Sequence, residues 1–343
     1  MSVLLLAVAI VVVSLLFAVT NGIHDSSSMV ATPISCGAMS PRAAVVLASV
    51  VGFAGAMLGG SAVSNTVGSI ISLPADEHLL PILLASVLSA TVWNLVTLRF
   101  RLPSSSTHAL IGGMIGAAIA ASGTGSVHWG WDELTGFEHR LDGITLVLVF
   151  LVVSIMLGFW LGYIVQAISK HALKNATKDA NTPVRRVQLL TAALLAFGHG
   201  ANDTQKQMGV ITLGLVAAGY ASSSEGIPFW VRTVAAFMMA VGTVGGGWGI
   251  MKTLGSRIFK LEPIHSLSSQ IASSSSLVAS TLVGAPVSST HVVASSIIGV
   301  GTSENPRMVQ WSVGKEMIVA FLLTIPAAMA LSAVFYYALD WML

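Results

Sequence analysis

Apolar runs alternate with short polar interruptions along almost the whole chain. A helix needs roughly 20 apolar residues to cross the hydrocarbon core of a bilayer. Long apolar stretches lie near 3–20, 43–63, 79–98, 109–121 and 143–168, with a second set near 187–197, 208–219, 229–251, 271–283, 292–301 and 317–339. The first, Val3 to Thr20, has no basic segment before it and is too long for the apolar part of a signal peptide, so it reads as a retained span. The stretches too short to span alone adjoin the polar interruptions. Residues 102–122 open with Pro103 and a Ser-Ser-Ser-Thr run, and residues 285–301 open with Pro286 and Ser-Ser-Thr. Each predicts a hairpin or re-entrant helix. The stretches 17–36 and 196–210 predict a helix interrupted at a Gly/Asn/Asp step and then resumed. Broken backbone at membrane depth survives only where protein or a wet cavity satisfies the freed N–H and C=O groups. The predicted breaks therefore point to an internal cavity.

The interruptions come in pairs. Asn21-Gly22-Ile23-His24-Asp25 recurs as His199-Gly200-Ala201-Asn202-Asp203, and Pro103-Ser104-Ser105-Ser106-Thr107-His108 recurs as Pro286-Val287-Ser288-Ser289-Thr290-His291. The order is the same in both halves, with 82 residues from Asp25 to Thr107 and 87 from Asp203 to Thr290. Two matched half-sites are the plan of a secondary transporter built from repeats. The expected fold is an all-α integral membrane protein of two inverted-topology repeats, with discontinuous helices and hairpin or re-entrant elements. Residues 1–168 form the first repeat, 169–186 a basic linker, and 187–343 the second repeat.

Composition agrees. The 343 residues are 54% hydrophobic and 9% charged, where a soluble domain carries about a quarter charged residues. The net charge of +2 comes without a basic stripe interleaved with aromatics, so nucleic acid is not an expected partner. The single cysteine, Cys36, excludes an internal disulfide and a cysteine metal cage. Charge also orients the chain. With 169–186 placed in the cytoplasm, thirteen of the sixteen Lys and Arg fall inside. Asp76, Glu77, Asp132, Glu133, Glu138, Asp142, Glu225 and Asp340 fall outside or at the outer end. Both termini are then outside, as an odd number of elements per half requires.

Asp25 and Asp203 are the most informative residues, because an ionised carboxylate in hydrocarbon is costly and usually lines a functional path. They predict a cation or proton site, with Asn21 and Ser28 beside the first; the plainer reading is a helix cap or a buried salt bridge. Ser105, Ser106, Thr107, Ser288, Ser289 and Thr290 each stand at a predicted helix start. Hydroxyls and N–H groups there, with the positive end of the helix dipole behind them, make an anion seat. The alternative is that they only let helices pack closely, which suffices for Ser273 to Ser276. His24, His108, His199 and His291 are candidates to relay a proton or donate to an anion, or are hydrogen-bonded structural residues. Their spacing makes no metal motif. Lys206 balances an anion, pairs with a carboxylate, or snorkels to the surface.

At these motifs the chain resembles the inorganic phosphate transporter (PiT) family, in particular its bacterial low-affinity branch. Gly22-Ile23-His24-Asp25 and Gly200-Ala201-Asn202-Asp203 match its G-x-N/H-D signature, and Pro103 to His108 and Pro286 to His291 match its P-x-S-S-T-H signature. The stretch from Gly200 to Gly209 is especially similar to the low-affinity branch. The resemblance implies a homodimer in the cell (inner) membrane that imports phosphate with Na⁺ or H⁺ by alternating access. No resident cofactor and no catalytic residue are expected. It implies phosphate or cation contacts from Asp25, Asp203, Asn202, Ser105, Ser106, Thr107, Ser288, Ser289 and Thr290, with Na⁺ a candidate ligand of Asp25 and Asp203. The first half departs from the family: Asp25-Ser26-Ser27-Ser28 stands where N/H-D-x-A-N is common, so the Ser28 hydroxyl replaces an amide. Related carriers take sulfate, which keeps another tetrahedral oxyanion as an alternative. An intramembrane serine hydrolase and an anion channel are more distant ones.

Overall fold

The computed structural model describes residues 2–100, 104–136, 139–246, 251 and 253–342. Pro103, Arg101, Glu138 and Lys252, which enter the motif and charge arguments, lie outside them. The order is α1 (Val3–Ser35), α2 (Pro41–Leu58), α3 (Ala62–Gly68), α4 (Leu79–Phe100), α5 (Ser106–Ser122) and α6 (Trp131–Thr135). Then follow α7 (Gly143–Ala172), α8 (Asn181–Ala217), α9 (Phe229–Gly245), a π turn at Thr253–Arg257, α10 (Pro263–Leu282), α11 (Ser289–Glu304) and α12 (Trp311–Met342). Among the described residues, α1, α2, α4, α7 and α12 are long and apolar enough to cross a membrane.

Polarity is arranged inside out. The outer faces of α1, α7 and α12 expose Val8, Val12, Leu16, Val152, Met156, Ile168, Ile318, Leu322 and Val334, while Asp25, Lys206, Asn202 and Gln205 are buried. In lipid the burial of apolar side chains does not drive helices together; close packing and interhelical hydrogen bonds do. Small residues mark the contacts. Ser269 and Ser273 of α10 both meet Ser296 of α11, at 2.7 and 2.8 Å. This is the packing role expected for the Ser273–Ser276 run.

The breaks expected in 17–36 and 196–210 are corrected: α1 and α8 run through both motifs as continuous helices of 33 and 37 residues. The motif glycines serve close approach instead. A Cβ on Gly22 would strike the Met239 carbonyl of α9, and one on Gly200 would strike the Gly52 carbonyl of α2. The chain is interrupted at the second pair of motifs. α4 ends at Phe100 and α5 starts at Ser106, and the two pack together; α10 and α11 also pack together and join through 283–288. At 17 and 16 residues, α5 and α11 reach only about 25 Å, short of a core of roughly 30 Å.

The halves interlock rather than stand side by side. α1 packs on α9 and α8 on α2; α5 packs on α12 and α11 on α7. The long helices α1 and α8 touch each other and run antiparallel, since Ile10 lies against Gly214 and Cys36 Sγ lies 3.2 Å from Gln188 Oε1. The segment between α7 and α8 is shorter than the expected linker, spanning 173–180 with a turn at Lys178–Ala180.

Candidate functional site

Ser105 and Ser288 start the two short helices. Ser105 Oγ accepts the His108 N–H at 3.2 Å, and Ser288 Oγ accepts the His291 N–H at 3.4 Å. As N-caps they satisfy one of the first-turn donors that no helix can satisfy internally. The next two residues of each helix, Ser106-Thr107 and Ser289-Thr290, are left at the helix tips. Both tips are buried at the crossing of α1 and α8, and Thr107 Oγ1 donates to the Val287 carbonyl at 2.9 Å, joining one tip to the other.

Asp25 is held by groups from both halves, whereas the partners of Asp203 come from the second half, with Lys206 linking it to Thr107 of the first. Asp25 accepts from Ser106 Oγ (3.1 Å) and Thr290 Oγ1 (3.0 Å), and His24 Nδ1 lies 3.0 Å from its Oδ1. Asp203 accepts from Ser289 Oγ at 2.8 Å, has His199 Nδ1 at 2.6 Å, and pairs with Lys206. Asp25 is 3% exposed, Asp203 0% and Lys206 1%, so these charges are answered by protein groups and not by bulk water. A buried charge persists only with such partners.

Lys206 does not snorkel. Its Nζ is hydrogen-bonded to Asp203 Oδ1, to Thr107 Oγ1 at 2.5 Å and to the Val287 carbonyl at 2.9 Å. Asn202 braces the second tip: its Nδ2 donates to Thr281 Oγ1 and to the Ala285 carbonyl, each at 3.0 Å, and its Oδ1 accepts the Val287 N–H at 3.3 Å. His108 and His291 meet edge to face with ring centroids 5.4 Å apart, and His291 Nδ1 lies 2.7 Å from Ser288 Oγ. Ser28 Oγ donates to the Asp25 backbone carbonyl at 2.7 Å. Asn21, one turn before Asp25, donates to Gln207 Oε1 at 3.1 Å when the Gln207 amide is turned to meet the Asp203 and Thr204 carbonyls.

The sequence-predicted residues therefore gather at one place: Asp25, Asp203, Ser106, Thr107, Ser289, Thr290 and Lys206 at its centre, with Ser105, Ser288, Asn202 and the four histidines around it. Sequence reasoning missed three contributors. The Val287 carbonyl carries two hydrogen bonds, and a backbone group leaves no side-chain signal. Thr281 steadies Asn202 from α10. Gln205 accepts the Val63 and Ser64 N–H groups at 2.9 and 3.2 Å and fixes α3 on α8; its only signal was its place beside Lys206 in an apolar run.

Comparison with known proteins points one way. The profile of the phosphate transporter family matches residues 21–332. A Bacillus subtilis (strain 168) protein described as a "probable low-affinity inorganic phosphate transporter" is 37% identical over 338 residues, covering 98% of each chain. A Rhizobium meliloti (strain 1021) protein with the same description is 36% identical over 336 residues, covering 98% of this chain and 97% of that one. The solved structure titled "The sodium-dependent phosphate transporter" shares the fold, with a TM-score of 0.79 and 23% identity over 98% of this chain and 100% of that one.

Proposed function

The chain belongs to the phosphate transporter family, a family of transporters and not of enzymes, and on that footing we propose that it imports inorganic phosphate in symport with Na⁺ or H⁺ by alternating access. The multi-pass protein sits in the cell membrane as a homodimer of inverted repeats 1–168 and 187–343. Its termini are outside and its 169–186 linker is in the cytoplasm. The observation that carries the mechanism is the exchange of partners at the centre. Asp25 of α1 is held by hydroxyls from both α5 and α11, and Asp203 of α8 is bonded to Ser289 of α11 and, through Lys206, linked to Thr107 of α5. A carboxylate there repels an anion, by roughly 4 kcal/mol for unit charges 4 Å apart at an effective dielectric constant of about 20, and a cation bound to the carboxylate relieves that repulsion. Hydroxyls and first-turn N–H groups of α5 and α11 then seat a tetrahedral oxyanion without a full counter-charge.

In this reading Ser105, Ser106, Thr107, Ser288, Ser289, Thr290 and Asn202 form the phosphate seat. Asp25, Asp203, Asn21 and Ser28 form the coupling region, and the four histidines stand as proton or anion contacts. Uptake of labelled phosphate into proteoliposomes, with Na⁺, H⁺ and sulfate varied in turn, tests the reading. Saturable phosphate uptake driven by one imposed cation gradient is expected, and Asp25→Asn and Asp203→Asn are expected to abolish it. Wild-type uptake by both variants, inserted and folded normally, would remove the carboxylates from the mechanism. Sulfate taken up in preference to phosphate would reassign the substrate.

A further inference from the structure

The two halves of the site differ sharply at one position. Three residues after Asp203 stands Lys206; three residues after Asp25 stands Ser28. In the first half Thr290 Oγ1 meets Asp25 Oδ1 directly at 3.0 Å, and Ser28 turns back to its own helix. In the second half Thr107 holds the place of Thr290, and the Lys206 Nζ stands between Thr107 and Asp203 Oδ1.

Donor accounting fixes what that nitrogen is. Thr107 gives its own hydroxyl hydrogen to the Val287 carbonyl, so toward Lys206 its oxygen is an acceptor. The Asp203 carboxylate and the Val287 carbonyl are acceptors as well. Three acceptors take three N–H groups, which is an ammonium with every hydrogen directed. In this arrangement none is left to meet an incoming anion. The partners are a carboxylate, a hydroxyl and a backbone carbonyl, and oxygens of this kind are what hold a hard cation.

We propose that Lys206 is a tethered cation that permanently occupies the coupling position of the second half, leaving Asp25 as the one carboxylate that takes a mobile ion. This rests on the symport reading above and narrows it. The Asp203–Lys206 pair presents no net charge to the substrate throughout the cycle. Asp25, which among the described residues is bonded to the Ser106 and Thr290 hydroxyls and has His24 beside it, has its charge balanced afresh at each turnover. The number of coupling ions per phosphate is then one fewer than two equivalent carboxylates would require.

The test is that number. Purified protein in proteoliposomes gives it from the phosphate gradient that a known Na⁺ or H⁺ gradient sustains at equilibrium. Uptake by the wild-type protein that ignores both gradients would overturn the symport reading itself. Given a coupled wild-type protein, Lys206→Ser gives the second half the residue found in the first, and is expected to raise the number by one. Lys206→Gln, close to the native length, is the second variant should the serine protein fail to fold, and carries the same expectation. Lys206→Arg keeps the charge and is expected to keep the wild-type number. A purely structural lysine would alter the rate and the yield but not the number. An unchanged number in either folded neutral variant, or a raised number in the arginine variant, would overturn the tethered cation and leave symport standing.

Discussion

Asp203 and Lys206 are each untenable alone where they sit. A buried ion pair adds little net stability over an apolar replacement, but removing one partner strands the other charge, at a cost of about 3–5 kcal/mol. Lys206→Met is therefore expected to lower the apparent melting temperature of the detergent-solubilised protein markedly. Asp203→Asn combined with Lys206→Met is expected to recover a large part of that loss, with an interaction energy of roughly 1–3 kcal/mol in the double-mutant cycle. Additive losses would show that the pair is not the unit of stability. This chemistry was partly legible in the sequence. Charged and hydroxyl residues in an apolar run are conspicuous because lipid penalises them, and their duplication separated them from accidents of composition. The choice among the roles of Lys206 was not legible, because it depends on Thr107 and Val287, which lie 99 and 81 residues away in the chain.

At the scale of elements, the continuity of α1 and α8 has a physical cause that the sequence conceals. A Gly close to an Asn or Asp is a local turn signal; Gly22 follows Asn21 and Gly200 stands two residues before Asn202, so both predict a break. Here each glycine lets two helices approach until one backbone touches the other. The carboxylates that follow are satisfied by hydroxyls from α5 and α11, so no freed carbonyls or N–H groups are needed. The helix starts expected after the two prolines are present because Ser105 and Ser288 cap α5 and α11, a signal that is itself local. Gly200→Ala and Gly22→Ala are expected to cost about 1–3 kcal/mol each, as overpacking does. In Gly68→Ala the new Cβ meets nothing within 4 Å, so a change within about 0.5 kcal/mol is expected. Thermal unfolding of the three variants in one detergent checks this. Equal losses would mean that the motif glycines are not contact residues.

At the scale of the whole molecule, the antiparallel run of α1 and α8 ties the repeat to an orientation. α8 has 37 residues, about 55 Å at 1.5 Å per residue, which exceeds the 40–45 Å of bilayer and headgroups together. Although α8 is not among the helices apolar enough to span by composition alone, its length and its place beside α1 predict that it crosses with its ends on opposite sides. Lys170, Lys174, Arg185 and Arg186 cluster at its start, and Glu225 follows its end, so the start is expected to face the cytoplasm. α1 lies antiparallel beside it, with Cys36 near Gln188, which puts residue 42 on the same side as residue 175. Arg42, Asn175 and Ser224 are all exposed. In a background where buried Cys36 is replaced by Ser, single cysteines at these three positions give the answer with a membrane-impermeant thiol reagent. Arg42→Cys and Asn175→Cys are expected to react only in inside-out vesicles, and Ser224→Cys only in right-side-out ones. The reverse pattern would keep the fold and invert the orientation, making the charge bias a poor guide for this chain. If Arg42→Cys instead reacted together with Ser224→Cys, the two long helices would run parallel in the membrane. The shared pocket built from Asp25, Asp203 and the tips of α5 and α11 would then have no basis.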